Sequence, residues 1–252
     1  MILVKPFLGL LVVLVSTGLI LFFSLSSSRK SRRIFRLIPA IQKLRRAIGR
    51  SVEEGGRIHV SIGKSSIFSA TNASALVGLS TLERIAQLSS VSDRPPVVTS
   101  GDGTLSILSQ DTLRAAYRIA NAQDQYDPER ALLAGATPFS YIAGTIPVMR
   151  GQRVNTNILL GNFGPEVALL TEASDLQNAF TLAASDALAT QAVLYATAQE
   201  PLIGEELFAV PAYLQAGPVY QASLRVQDIL RWVVVALLVI TALLAVFRIF
   251  VL

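Results

Sequence analysis

Two unbroken apolar runs bracket a long middle region in which apolar residues recur at regular intervals. The first, Phe7 to Leu25, is nineteen residues without a charge, enough to cross a hydrocarbon layer of about 30 Å as a helix. The second, Trp232 to Leu252, is apolar on all sides, with Arg231 and Trp232 at one end and Arg248 near the other. Flanking residues of these types are expected at headgroup level. A cleaved signal peptide has a shorter apolar region that ends in small residues, whereas Phe22 and Phe23 close this one. Both runs are predicted to be transmembrane helices: residues 1–26 hold the first, and 218–252 form an amphipathic approach followed by the second.

Between the spans the period changes. Ile34, Leu37, Ile38, Ile41, Leu44 and Ile48 share one helical face, which Pro39 interrupts. Segment 27–54 is therefore read as a basic amphipathic linker. Segment 55–217 is read as a folded domain. Arg57 to Ile62 alternates as a strand does, and a helix from about Phe68 to Leu88 follows. Val97–Ser100 is a short buried strand, followed by a helix with Leu105, Leu108, Leu113, Ala116 and Ile119 on its apolar side. Val154–Leu160 and Phe180–Ala184 are the next strands. Pro165 opens the helix between them, and Ser185 or Asp186 caps a helix running to about Ala198. Leu202–Leu214 reads as helical, and residues 131–150 show no clear period. This order predicts an α/β fold with a mostly parallel sheet and flanking helices, inserted between the terminal transmembrane helices.

Charge sets the predicted orientation. The net charge of +5 conceals an asymmetry: no acid precedes Glu53, while Arg29, Lys30, Arg32, Arg33, Arg36, Lys43, Arg45, Arg46 and Arg50 crowd the side following the first span. Without those nine cations, thirteen basic residues face seventeen acids. A broad basic surface for nucleic acid is thus not expected. Cations beside a span stay on the cytoplasmic side, so the central domain is expected in the cytoplasm and both termini outside. The same nine side chains are candidate contacts for anionic lipid headgroups, with the apolar stripe lying in the interface.

Candidate chemistry is sparse. There is no cysteine and a single histidine, His59; disulfides, thiolate metal sites and multi-histidine centres are excluded within one chain, and neither metal nor cofactor is expected. Gly63-Lys64-Ser65 looks like the end of a phosphate loop, but that pattern needs a glycine where Ile58 stands, so the stretch reads as a turn with an exposed lysine. Ligands of parallel sheets bind beyond the carboxyl ends of strands, near helix N-termini. On that ground Ser100, Gly101, Asp102 and Gly103, Gly161, Asn162 and Gly164, Glu166, and Asp186 are the candidate ligand-binding residues. Ordinary turn and cap chemistry is the competing explanation for each of them. Glu205 and Glu206 are adjacent and point about 100° apart on a helix, so they do not converge on one substrate.

The segments GGRIHVSIG (55–63), VVTSGDGTLSILSQDTLRAAY (97–117), LLGNFGPEVALLTEAS (159–174), IGEELFAVPAYL (203–214) and ASLRVQDILRW (222–232) resemble an uncharacterised bacterial family of membrane-anchored proteins with a domain of unknown function. The resemblance implies one unit over residues 51–231 in a bacterial inner membrane and supplies no catalytic residues. The expected role is a structural or assembly subunit, self-associating or part of a membrane complex. The alternative is a sensor or hydrolase for a small anion or nucleotide-like ligand, with its site around Asp102 and Asn162.

Overall fold

The computed structural model describes residues 4–25, 36–68 and 72–251. The chain divides into two compact units, one within Phe35–Ala216 and one made of the terminal segments.

The terminal unit consists of α1 (Val4–Leu25) and α9 (Pro218–Val251), which pack on each other. The Arg225 guanidinium lies 5.6 Å above the Phe23 ring. In α9 the stretch Pro218–Leu244 is long and apolar enough to cross a membrane, and 6% of its hydrophobic window is buried. Among the described residues α1 contributes a shorter apolar stretch, Gly9–Leu25. One helix of that length is therefore present among the described residues, where the sequence pattern predicts two. At 1.5 Å per residue α9 is about 50 Å long, more than a bilayer core needs; its first turns carry Arg225, Asp228 and Arg231, and its uncharged run begins at Trp232.

In the larger unit six strands form one wholly parallel sheet: β1 (Arg57–Gly63), β2 (Val97–Ser100), β3 (Ala131–Leu133), β4 (Val154–Asn162), β5 (Phe180–Ser185) and β6 (Glu200–Leu202), in the order β3-β2-β1-β4-β5-β6. Strand β1 is buried along its whole length, because helices cover both faces, as parallel sheets require. On one face Ile58, Val60, Ile62, Val98, Ile158, Leu160 and Leu182 meet α2 (Pro39–Glu53), α3 (Asn72–Leu88), α4 (Gly103–Ile119) and α8 (Glu206–Tyr213). On the other, Val97, Leu159 and Ala183 meet α5 (Pro138–Gly151), α6 (Ala168–Asp175) and α7 (Leu188–Thr197).

Helix α2 corrects the linker reading. Its stripe of Ile38, Ile41, Leu44 and Ile48 lies in the first of these cores, with Leu44 fully buried. The stripe is amphipathic because one side faces a sheet, and it is not available to lipid. Leu37, assigned to the same face, is exposed. Three of the candidate lipid-binding cations also make contacts within this unit: Arg36 pairs with Glu206 at 3.3 Å, Lys43 with Glu200, and Arg45 donates to the Tyr213 carbonyl. Arg46 and Arg50 are exposed, while Arg29, Lys30, Arg32 and Arg33 lie outside the described residues.

Other elements differ in detail. The region 131–150 holds β3 and α5, the latter opened by a capping box between Thr137 and Ser140. Residues 200–202 form the edge strand β6, so the helix expected over 202–214 shortens to 206–213. Neither Ser185 nor Asp186 caps α7; Ala187 occupies that position without a side-chain cap.

Candidate functional site

A parallel sheet offers a crevice where neighbouring strands connect to helices on opposite faces. Here that point is between β1, followed by α3 on one face, and β4, followed by α6 on the other. This switch point lies beyond Gly63 and Asn162, which are paired in register.

Glycine allows these strand ends to approach. A Cβ on Gly161 would stand 1.9 Å from the Ile62 carbonyl oxygen, and one on Gly63 would stand 2.4 Å from that of Asn162. Gly63 also has φ +80°, a left-handed conformation that disfavours other residues. The loops are then laced by backbone bonds: Lys64 N donates to Asn162 O at 3.0 Å, and Gly101 N donates to Gly63 O at 2.8 Å.

These contacts gather the predicted residues at one edge. Asp102 caps α4, accepting from Leu105 N at 3.1 Å. Asn162 Nδ2 donates to Asp186 Oδ1 at 2.7 Å, tying the end of β4 to the loop after β5. Ser185 Oγ accepts from Phe163 N and Ala187 N, each at 3.3 Å. Glu166 folds back over Gly164, where a Cβ would meet its carboxylate at 2.1 Å.

Lys64 was predicted to be exposed and is not. It pairs with Glu166, their side chains being 15% and 10% exposed. Burial raises the Glu166 carboxyl, but the hydrogen bond from Lys64 and backbone hydrogen bonds at Glu166 and Gly164 outweigh it, so the group is held below the usual carboxylate range. The adjacent Ser65 is 5% exposed, and among the described residues its hydroxyl has no hydrogen-bond partner. The Gly-Lys-Ser stretch was visible in the sequence, but its pairing with a residue 102 positions away was not.

His59 lies in the interior beneath this edge. It is fully buried, with Nδ1 2.6 Å from Asn157 Oδ1 and Nε2 2.8 Å from Thr99 Oγ1. The amide oxygen assigns the proton to Nδ1, so Nε2 accepts from Thr99. Burial pushes its pKa down to about 4 against the hydrogen bond to Asn157, which keeps the ring neutral. The neighbouring Tyr141 hydroxyl bonds Ser61 and lies 3.3 Å from Thr99 Oγ1; burial raises its pKa. This polar seam joins α5 to the sheet and has no exposed member.

A separate groove of about 390 Å³ lies between α2, α3 and the end of α8. Arg45 and Arg84 line it and donate to the carbonyls of Tyr213 and Leu214, the latter at 3.0 Å. Both therefore close the C-terminus of α8, as basic residues do at helix ends. Among the described residues no cluster of three histidine, aspartate or glutamate side chains could hold a metal ion.

The fold and its glycine-lined switch point define a doubly wound α/β protein with polar residues gathered at the carboxyl edge, in one chain with two apolar terminal helices. The chain belongs to the family described as a domain of unknown function (DUF6754), whose match covers residues 3–252. No curated protein and no solved structure matches it.

Proposed function

We propose that this is a membrane-held binding domain that takes a small nucleotide-like ligand in the crevice between β1 and β4. The observation that carries this reading is the enclosed Lys64–Glu166 pair at the switch point. A lysine there, beside the backbone N–H groups that open α4 and the turn at Gly164, suits an anionic group. Asp102 and Asp186 suit hydroxyls, since carboxylates at strand ends accept from sugar hydroxyls, and Asn162 orients Asp186. When ligand arrives, Lys64 exchanges one anionic partner for another. In this reading α1 and α9 both span the membrane, and the cationic segment after α1 keeps the domain on the cytoplasmic side.

An assembly role is the second reading, and one observation favours it. Phe68, Phe139 and Leu188 are 88%, 72% and 81% exposed, and all three follow strands at the carboxyl edge. Exposed apolar side chains at one edge suit a contact with another protein.

One experiment separates the two readings. Full-length protein in mild detergent is melted with ATP, NAD or a sugar phosphate. At a hundred times Kd a ligand adds about 2.7 kcal/mol, or a rise of about 5–10 °C in a domain of this size. Lys64→Gln should lower affinity by at least about tenfold. No shift with any of the three, together with a discrete oligomer that Phe139→Ser disperses, would replace the binding reading with the assembly one.

A further inference from the structure

The opposite, amino edge of the sheet carries a concentration of positive charge that the fold alone does not explain. Arg57 opens β1, Arg94 precedes β2, and Arg130 ends the 3-10 turn Pro128–Arg130 that leads into β3. Tyr117 lies in the last turn of α4, and Gln152 follows α5. Topology places all five where strands start and helices end.

The contacts among them are unbalanced. Arg57 is 8% exposed and Tyr117 is 2% exposed. Arg57 Nη1 and Arg130 Nη1 both donate to one neutral acceptor, the Gln152 amide oxygen, the second at 3.3 Å. Among the described residues Arg57 Nε and the Tyr117 hydroxyl have no hydrogen-bond partner. Arg130 Nε stands 3.0 Å from Asp127 Oδ2 but lacks the alignment of a hydrogen bond. Asp127 is itself engaged, accepting from Glu129 N at 2.9 Å.

Like charges held together below the surface repel, and orphaned donors there are costly. Burial depresses the Arg57 pKa first, and repulsion from Arg130 and Arg94 depresses it further, with Asp127 and Tyr117 opposing. Burial pushes the Tyr117 phenol up to about 12, so its hydroxyl keeps its proton and remains a donor. Of the charged groups that act on Arg57, two are guanidiniums and one, Asp127, is a carboxylate. Helix C-termini favour nearby cations, but that effect leaves the orphaned donors without acceptors. An anion supplies both the charge and the acceptors.

We propose that this amino-edge cluster is a second binding site, for a dianion of the phosphate class, gripped by Arg57, Arg94 and Arg130 with the Tyr117 hydroxyl as a further donor. Arg57 and Tyr117 form the buried floor, and Arg94 and Arg130 the more accessible rim. Guanidinium forks match phosphate oxygens in pairs. The site is independent of the crevice at the carboxyl edge.

The test uses full-length protein in mild detergent with inorganic phosphate as the probe, against sodium chloride at equal ionic strength. Phosphate is expected to raise the melting temperature where chloride does not. Arg130→Gln and Arg94→Gln should each weaken that response by at least about tenfold in apparent affinity, while the exposed Arg46→Gln leaves it unchanged. In phosphate-free buffer Arg130→Gln should melt no lower than wild type, because repulsion at Arg57 is relieved. A purely structural role predicts the reverse: a lower melting temperature without phosphate and an undiminished phosphate response. That result would overturn the proposal, as would the absence of any phosphate-specific shift in the wild type. If Arg130→Gln fails to fold, Arg94→Gln decides the question by the same comparison.

Discussion

Leu44→Ala tests whether α2 belongs to the α/β core or to a membrane surface. Leu44 is fully buried, among Ile38, Ile41 and Ile48 on a helix that packs against β1, β4, β5 and β6. Truncating such a leucine removes its transfer free energy and leaves a cavity that a sheet face cannot close, a cost of about 3–5 kcal/mol. For a domain of this size each kcal/mol moves the midpoint by about 2–4 °C, so the expected fall is about 6–20 °C. Arg46→Gln, on the exposed side of the same helix, should change stability by less than about 0.5 kcal/mol. The assay is thermal unfolding of the full chain in mild detergent by far-ultraviolet circular dichroism, with partition onto anionic vesicles measured in parallel. If Leu44→Ala melted within about 2 °C of wild type while losing vesicle binding, the stripe would face lipid and the packing described here would be wrong.

Two further outcomes follow from the interior. His59 is the chain's single histidine, so its imidazole resonance is unambiguous; its folded-state pKa of about 4 lies below the ordinary 6.5. The unfolded chain then takes up the proton first, and stability present above the ordinary value is lost as the pH falls through about 4, by on the order of 3 kcal/mol. An imidazole titrating near its ordinary value in the folded protein would contradict the enclosure by Asn157 and Thr99. Gly161→Ala should destabilise by at least about 2 kcal/mol, since its Cβ would stand 1.9 Å from a β1 carbonyl and force the two central strands apart. A melting temperature equal to wild type would show that the strand ends are not held together as described.

The sequence by itself determined the class of fold and its central strands. Segments around β1, β2, β4 and β5 are legible because apolar residues alternate or cluster along them and glycine turns mark the ends of β1, β2 and β4. It also revealed that residues 38–48 have a face to hide. Only the tertiary structure decided what that face meets, since amphipathicity is the same whether the partner is a sheet or a lipid surface. The edge strands escaped for a different reason. β3 and β6 have three residues each, too few for a period, and Pro201 argues against a strand except at an edge. That Asp102, Asn162, Glu166 and Asp186 share one edge was legible because strand-to-helix turns place them there by topology. Lys64 with Glu166, and Arg57 with Arg94 and Arg130, were not found. Charge pairing across the sheet depends on strand order, and the β3-β2-β1-β4-β5-β6 order comes from how crossovers pack, a long-range choice that no local pattern encodes.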